Sequence, residues 1–418
     1  MKRIIALNVL FLPAVLFAQQ QLSLEESYNY ALKNNPLRNQ ADWLKEKSDA
    51  EISILEKGKL PKLDVNAQAT YQSDVVHFPG SLPNMSIVPP NKDQYRATVD
   101  VSQLIYKGGA IQAQTKLKEA ELQTLQQQVE VGLYGLKYQV NQYYFNVLLK
   151  QEQAKLLELK KQQLQERLNE VKAAVKYGAA LTSSEKILEA ELLKLSQEQT
   201  QVDADRKKAL EQLSQLLHLD VAKDLVLENP NLTVYKNEEN LRPELKLFAL
   251  QENQLTVSEA AIAKEVFPIV SGFAQAGYGN PGLNMLDNSF QDFYIVGIRL
   301  NWNIFDWGQN KQKKNIIRYN KEIVSTEREN FLLQTVINEQ AAYNDIIKYE
   351  GLLQKDDEII NLREEVLTSV TSQLKNGTIR SSEYIIELNN LFEAKIDKQL
   401  HEIQLSLSKA NYNVIVGK

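Results

Sequence analysis

Cysteine is absent from the 418 residues, which excludes disulfides, thiolate metal sites, a cysteine nucleophile and a lipidated N-terminal cysteine. Charge of one sign is also scarce. The 48 basic and 53 acidic residues leave a net charge of −5, so no basic field exists to dominate nucleic-acid binding, and no nucleic-acid partner is expected. The three histidines, His77, His218 and His401, are far apart in sequence. They read as a loop, a helix end and a helix, with nothing to make them converge on a metal or a substrate. Glycine-rich phosphate loops, serine elbows and His-Glu zinc motifs are missing as well. No catalytic residue, metal site or cofactor is therefore expected. The adjacent pairs Asp356-Asp357 and Glu364-Glu365 read as solvated helix faces, because neighbours in sequence point in different directions around a helix.

Long apolar runs are missing after the N-terminus. There, Lys2 and Arg3 precede the run Ile4 to Phe17, and Ala18 precedes three glutamines, which is the order of a secretory signal peptide cleaved near Ala18. The run is shorter than the roughly 20 residues of a spanning helix, and Pro13 interrupts it. If the mature chain enters a membrane, it must do so as β-strands.

All 11 prolines lie at or before Pro281, and none falls between Pro90 and Pro230. Long helices can run in the two proline-free stretches. Each stretch carries one glycine placed to turn a helical hairpin, Gly178 in the first and Gly377 in the second. Apolar residues recur there at spacings of four and three, as in Leu188, Leu192, Leu195 and Val202, which is coiled-coil periodicity. As one helix, Ala110 to Tyr177 is about 100 Å long, more than a compact core needs.

Before each helical stretch the period changes to two. Leu63, Val65, Ala67, Ala69 and Tyr71 alternate with Asp64, Asn66, Gln68, Thr70 and Gln72, and Tyr95, Ala97, Val99 and Val101 alternate with Arg96, Thr98, Asp100 and Ser102. The same order returns about 200 residues later, so the chain is an internal duplication. Ala67, Gln68, Ala69 and Tyr71 match Ala274, Gln275, Ala276 and Tyr278, Gly109 matches Gly308, and Ser183-Ser184-Glu185 matches Ser381-Ser382-Glu383. The expected division is a signal peptide at 1–18, a first repeat at 19–218, a linker at 219–243 and a second repeat at 244–418.

Strands of roughly ten residues with an apolar face and a polar face carry the signature of a transmembrane barrel. Four strands cannot close one, so several chains must pool theirs: two would supply eight, three would supply twelve. On this reading Phe293 and Tyr294 stand at one lipid boundary, and Trp302, Phe305 and Trp307 stand at the other. Asp64, Arg96, Asp100 and Arg299 face the lumen. Phe273 breaks the alternation by falling on the lumen side, which leaves the register near Ile269 open.

These features resemble the TolC-like outer membrane efflux proteins over almost the whole mature chain. They comprise the duplicated order, the strand starts Leu60-Pro61 and Phe267-Pro268, the strand-to-helix exits Ile105-Tyr106-Lys107-Gly108-Gly109 and Ile304-Phe305-Asp306-Trp307-Gly308, and the hairpin tips after Gly178 and Gly377. The resemblance implies a mainly helical fold with membrane β-structure. A homotrimer would form a 12-stranded β-barrel continuous with an α-helical barrel in the periplasm of a Gram-negative cell. It also implies a passive exit duct in the outer membrane, not an enzyme, served by a periplasmic adaptor and an inner-membrane pump. The tips, at Gly178 and Gly377, would meet the adaptor. Glu383, with Glu185 as its counterpart in the first tip and Arg380 as a cationic partner, would form a periplasmic gate. The competing reading of Glu185 and Glu383 is helix N-terminal chemistry, with hydroxyl caps from Thr182 and Ser381. The competing reading of the whole chain is a secreted or periplasmic coiled-coil scaffold without transport.

Overall fold

The computed structural model describes residues 21–76, 89–219, 225–236 and 239–418. The expected signal peptide and His77 lie outside these residues. The elements, in order, are β1 (Gln21–Leu22), α1 (Leu24–Asn34), α2 (Leu37–Lys57), β2 (Lys62–Tyr71), β3 (Asp93–Tyr106), α3 (Ala110–Lys176), α4 (Thr182–Leu217), β4 (Val226–Leu227), α5 (Pro243–Ile262), β5 (Ile269–Asn280), β6 (Gln291–Asn301), α6 (Gln309–Lys375) and α7 (Ser381–Val416). Each repeat thus supplies two strands, one 67-residue helix and one 36-residue helix. Among the described residues no helix is long and apolar enough to cross a membrane.

The four long strands form one antiparallel sheet in the order β2-β3-β5-β6, so the central pairing joins the two repeats. Directly opposed residues share a face. The register aligns Val65 with Val99, Val99 with Ala276, and Ala276 with Tyr294. Asp64 aligns with Asp100, and Asp100 with Gln275. The apolar pattern therefore continues across all four strands, and the polar row at Asp100 runs from β2 to β5 and ends on Ile295 of β6. The register shifts once, between Leu104 and Tyr106, where β3 leaves the sheet.

The chain divides into two compact units, each drawing on both repeats. One comprises Asn39–Val131 and Pro243–Phe331 and contains the sheet. In it α2 is tied to α3 by Lys118–Glu51 at 3.1 Å, and α5 to α6 by Lys321–Glu259 at 3.1 Å. The other comprises Met1–Arg38, Gly132–Arg242 and Leu332–Lys418. Its main core gathers Val140, Tyr144 and Leu148 of α3, Leu213 and Leu217 of α4, and Leu22, Leu225 and Leu227 around the parallel β1–β4 pair. The Tyr144 hydroxyl donates to the carbonyls of Leu22 at 2.9 Å and Glu228 at 2.8 Å. The Gln151 amide accepts from Leu227 N and donates to Leu227 O, both at 3.0 Å. These bonds satisfy backbone groups that a two-residue strand leaves unpaired. The 219–243 segment, expected as a linker, thus contributes β4 to this core.

Candidate functional site

One face of the sheet is apolar and exposed. Leu63 and Val65 of β2, Val99 and Val101 of β3, and Val296, Ile298 and Leu300 of β6 all lie open, with Val65 and Ile298 each 74% exposed. A water-soluble monomer rarely leaves so continuous an apolar patch uncovered. Aromatic rings stand at both ends of this face. At one end, Tyr294 is 78% exposed, and Phe290 stacks between Tyr95 at 6.2 Å and Tyr278 at 5.5 Å. At the other, the exposed rings of Phe305 and Trp307 meet edge to face at 4.7 Å, and the Trp302 indole donates to the Val266 carbonyl at 3.0 Å. Tyr294 and Trp302 are eight positions apart, about 27 Å of strand at ~3.4 Å per residue. Phe290 was missed in the sequence because it precedes β6 and joins the ring set only through β3 and β5.

The opposite face is polar. Asp64, Arg96, Asp100 and Arg299 all lie on it, as their pairing partners require. Asp100 is held by donors from Asn66 and Thr98, each at 2.8 Å, and from Gln275. Asp64 pairs with Lys62 at 3.1 Å. Phe273 does fall on this face, and the cross-strand pairing supplies the reason: it opposes Gly297, where an added Cβ would sit 2.8 Å from its ring. Phe293, expected beside Tyr294 at the lipid boundary, instead lies buried on this polar face, because it opposes Gly277, where an added Cβ would sit 2.5 Å from its ring. Each ring reaches over its glycine and has a guanidinium above it, Arg299 over Phe273 at 5.0 Å and Arg96 over Phe293 at 5.2 Å. Thr98 is buried beside Gly277, so it is not an open wall position.

The two hairpin tips are built alike. Gly178 at φ 75° and Gly377 at φ 70° adopt the left-handed conformation that ends a helix without a Cβ penalty. In the first tip Gly178 N bonds Val175 O at 3.0 Å and Ala179 N bonds Ala174 O at 2.8 Å; in the second, Gly377 N bonds Leu374 O and Thr378 N bonds Gln373 O, both at 3.0 Å. Leu164, Leu168, Val171 and Leu188 of the first hairpin pack with Tyr384, Ile385, Leu388 and Phe392 of the second. The tips therefore lie side by side, and a cavity of about 600 Å³ between them is lined by Glu383 and Arg380, among others.

Around this cavity the expected hydroxyl caps are not formed. Leu181 and Arg380 occupy the extended cap positions, which puts Thr182 and Ser381 one residue inside their helices. Among the described residues the Ser381 hydroxyl, which is buried, has no hydrogen-bond partner. Glu383 instead accepts from the backbone N–H of Arg380 at 3.4 Å, and Glu185 has Lys186 at 3.9 Å. Among the described residues Arg380 and Glu383 form no side-chain ion pair within one chain. Sequence reading missed Arg167, whose guanidinium lies 5.0 Å over the Tyr384 ring and pairs with Glu170. In the first hairpin, hydrogen bonds from Lys186 and then Lys172 pull the exposed Glu189 carboxyl down to about 2.

One helix-face expectation needs correction. Asp356 is buried, and its carboxylate meets His401 Nδ1 at 2.7 Å across α6 and α7. Asp357 does face outward, pairing with Lys398 at 2.7 Å, and Glu364 pairs with Lys395 at 2.7 Å. Among the described residues no cluster of His, Asp and Glu could hold a metal ion.

A duplicated strand pair and helical hairpin, with one uncovered apolar sheet face, defines the fold of the outer-membrane duct proteins. Solved structures bear this out. The chain is similar to the Neisseria gonorrhoeae MtrE outer membrane channel in its open state, with 17% identity, TM-score 0.68 and coverage of 94% of this chain and 88% of that one. It is similar to the Vibrio cholerae outer membrane protein VceC, with 14% identity, TM-score 0.66 and coverage of 94% and 96%. The Campylobacter jejuni CmeC outer membrane channel matches with 16% identity, TM-score 0.64 and coverage of 94% and 85%. No curated protein matches it in sequence. Residues 27–218, most of the first repeat, match the family model described as outer membrane efflux protein. The resemblance read from the sequence holds.

Proposed function

We propose that this chain is one subunit of an outer-membrane efflux channel, a passive exit duct that a periplasmic adaptor connects to an inner-membrane pump. The observation that carries the reading is the sheet itself: one face apolar and exposed, the other polar, and strands β2 and β6 each with an unpaired edge. Open strand edges are not tolerated in lipid. Because all pairings are antiparallel, β6 of one chain runs antiparallel to β2 of the next. Three chains close a barrel of twelve strands, with the exposed face toward lipid, Asp64, Arg96, Asp100 and Arg299 toward the lumen, and the aromatic ends at the two lipid boundaries.

The family supports a periplasmic location for the helices, with the tips at Gly178 and Gly377 meeting the adaptor. Glu185, Arg380 and Glu383 act as the gate through contacts between chains, which fits the absence of an Arg380–Glu383 pair within one chain. Two experiments separate these assignments. Alkaline washing of membranes should leave the protein behind, with release only by detergent; release by alkali would contradict the barrel. In planar bilayers the double variant Arg380→Ala, Glu383→Ala should conduct more than the parent, and unchanged conductance in normally inserting channels would remove the gate while leaving the duct.

A further inference from the structure

On the polar sheet face the cations and anions are treated differently. Both carboxylates are occupied, Asp100 by three donors and Asp64 by Lys62. Among the described residues, the guanidiniums of Arg96 and Arg299 have no hydrogen-bond or ion-pair partner. Each is exposed and sits over the ring of a phenylalanine that itself reaches over a glycine. An aromatic ring covers the face of a guanidinium and leaves its N–H edge open, and that edge matches a carboxylate, phosphate or sulfonate in a two-point contact. Losing Lys62 to Asp64 leaves two free cations against one hydrogen-bonded anion on this face of each chain.

The order along the sheet matters as much as the count. Following the pairing along β5, Arg96 stands at Gly279, Phe293 at Gly277, Asp100 at Gln275, Phe273 at its own position and Arg299 at Ser271. The sequence of groups is cation, ring, carboxylate, ring, cation. The two arginines are eight positions apart, about 27 Å of strand at ~3.4 Å per residue. Three chains turn each arginine into a ring of three, one toward either end of the barrel. Rings of arginine or lysine favour anions in a narrow passage.

We infer that Arg96 and Arg299 form two anion-binding rings that make the β-barrel favour anionic solutes, small anions and cargo bearing carboxylate, phosphate or sulfonate groups. The inference rests on the polar face lining the lumen. The glycine-seated phenylalanines fix the height and tilt of each guanidinium, so the rings are preorganised and do not collapse onto Asp100.

The test uses the full-length channel in planar bilayers with a potassium chloride gradient, reading the chloride-to-potassium permeability ratio from the reversal potential. The double variant Arg96→Gln, Arg299→Gln should lower the ratio by about two-fold or more, as removal of charged rings does in narrow pores. Asp100→Asn should raise it. The Arg96→Lys, Arg299→Lys variant keeps the charges and should keep most of the ratio, which guards against a glutamine variant that fails to assemble. Conducting channels whose ratio is the same in the parent and in every variant would overturn the rings alone. Absence of any conductance from the parent would sink the duct reading, and the rings with it.

Discussion

The helices α3 and α6 have the same length and the same place in their repeats, yet they bury different amounts of themselves. On α3, Val140, Tyr144, Phe145, Leu148, Leu164 and Leu168 are buried, and Leu125 and Leu159 are its exposed large apolar residues. On α6, Ile317, Ala342 and Ile346 are the buried apolar residues, while Ile316, Ile323, Leu333, Val336, Ile337, Ile347, Leu362 and Val366 are exposed. A helix with periodic apolar residues left open in one chain has a surface made for another helix. The duplication copied the backbone plan. The two copies then diverged, the first packing within its own chain and the second keeping an open apolar surface that the proposed trimer would cover.

The largest expected effect breaks the first copy. Tyr144→Ala removes a fully buried ring and leaves the Leu22 and Glu228 carbonyls without their donor, a loss of about 3–5 kcal/mol. Thermal denaturation should show a large drop in midpoint. A change on the open face of the second copy, Ile337→Ala, should barely affect an isolated chain and should instead weaken association, seen as monomer at lower dilution than the parent. Equal effects on midpoint would erase the distinction between the copies.

A smaller effect compares the two sheet faces. Ile298→Arg places a charge on the exposed apolar face and should cost about 2–4 kcal/mol at mid-membrane, reducing the yield of inserted protein. Thr70→Arg, opposite the neutral Gln94 on the polar face, should insert at close to the parental yield. Thr98 is a poor control position, since its burial beside Gly277 would add a steric cost of its own.

The smallest effect separates the tips. Glu189 in the first hairpin is held by two cations, Lys186 and Lys172, while its counterpart in the second, Glu387, is held by Arg363 at 3.2 Å. A carboxyl whose folded pKa is depressed stabilises the fold above its ordinary value and loses that contribution as pH falls through the folded one. For Glu189 the window runs from about 4.5 down to about 2. These pairs lie at the solvent-accessible surface, so the change is slight. Glu189→Gln should flatten the acid decline of the thermal midpoint within that window, and an identical decline in parent and variant would show that the pairs at the first tip do not contribute.

Much of this was legible in the sequence for local reasons. Prolines and period-two alternation marked the strands, and the lone glycines marked the turns; the turn at Gly178 needs nothing beyond its own φ. What escaped depends on partners distant in sequence. Phe273 looked misplaced until Gly297 stood opposite it, and Asp356 looked solvated until α7 brought His401 to it. The caps failed for a local reason of a different kind: Leu181 and Arg380 hold the extended conformation, so the hydroxyls of Thr182 and Ser381 come one position late. Periodicity gave α3 and α6 the same apolar signature, because spacing alone does not say whether the covering surface belongs to the same chain.

The most direct measurement of the central claim is the native mass of the detergent-extracted mature protein, taken for the parent and for a variant with Leu333→Asp and Ile337→Asp on the open face of α6. The account predicts three copies per particle for the parent and loss of that species in the variant. A monodisperse parental monomer, or a trimer indifferent to two charges on α6, would contradict it.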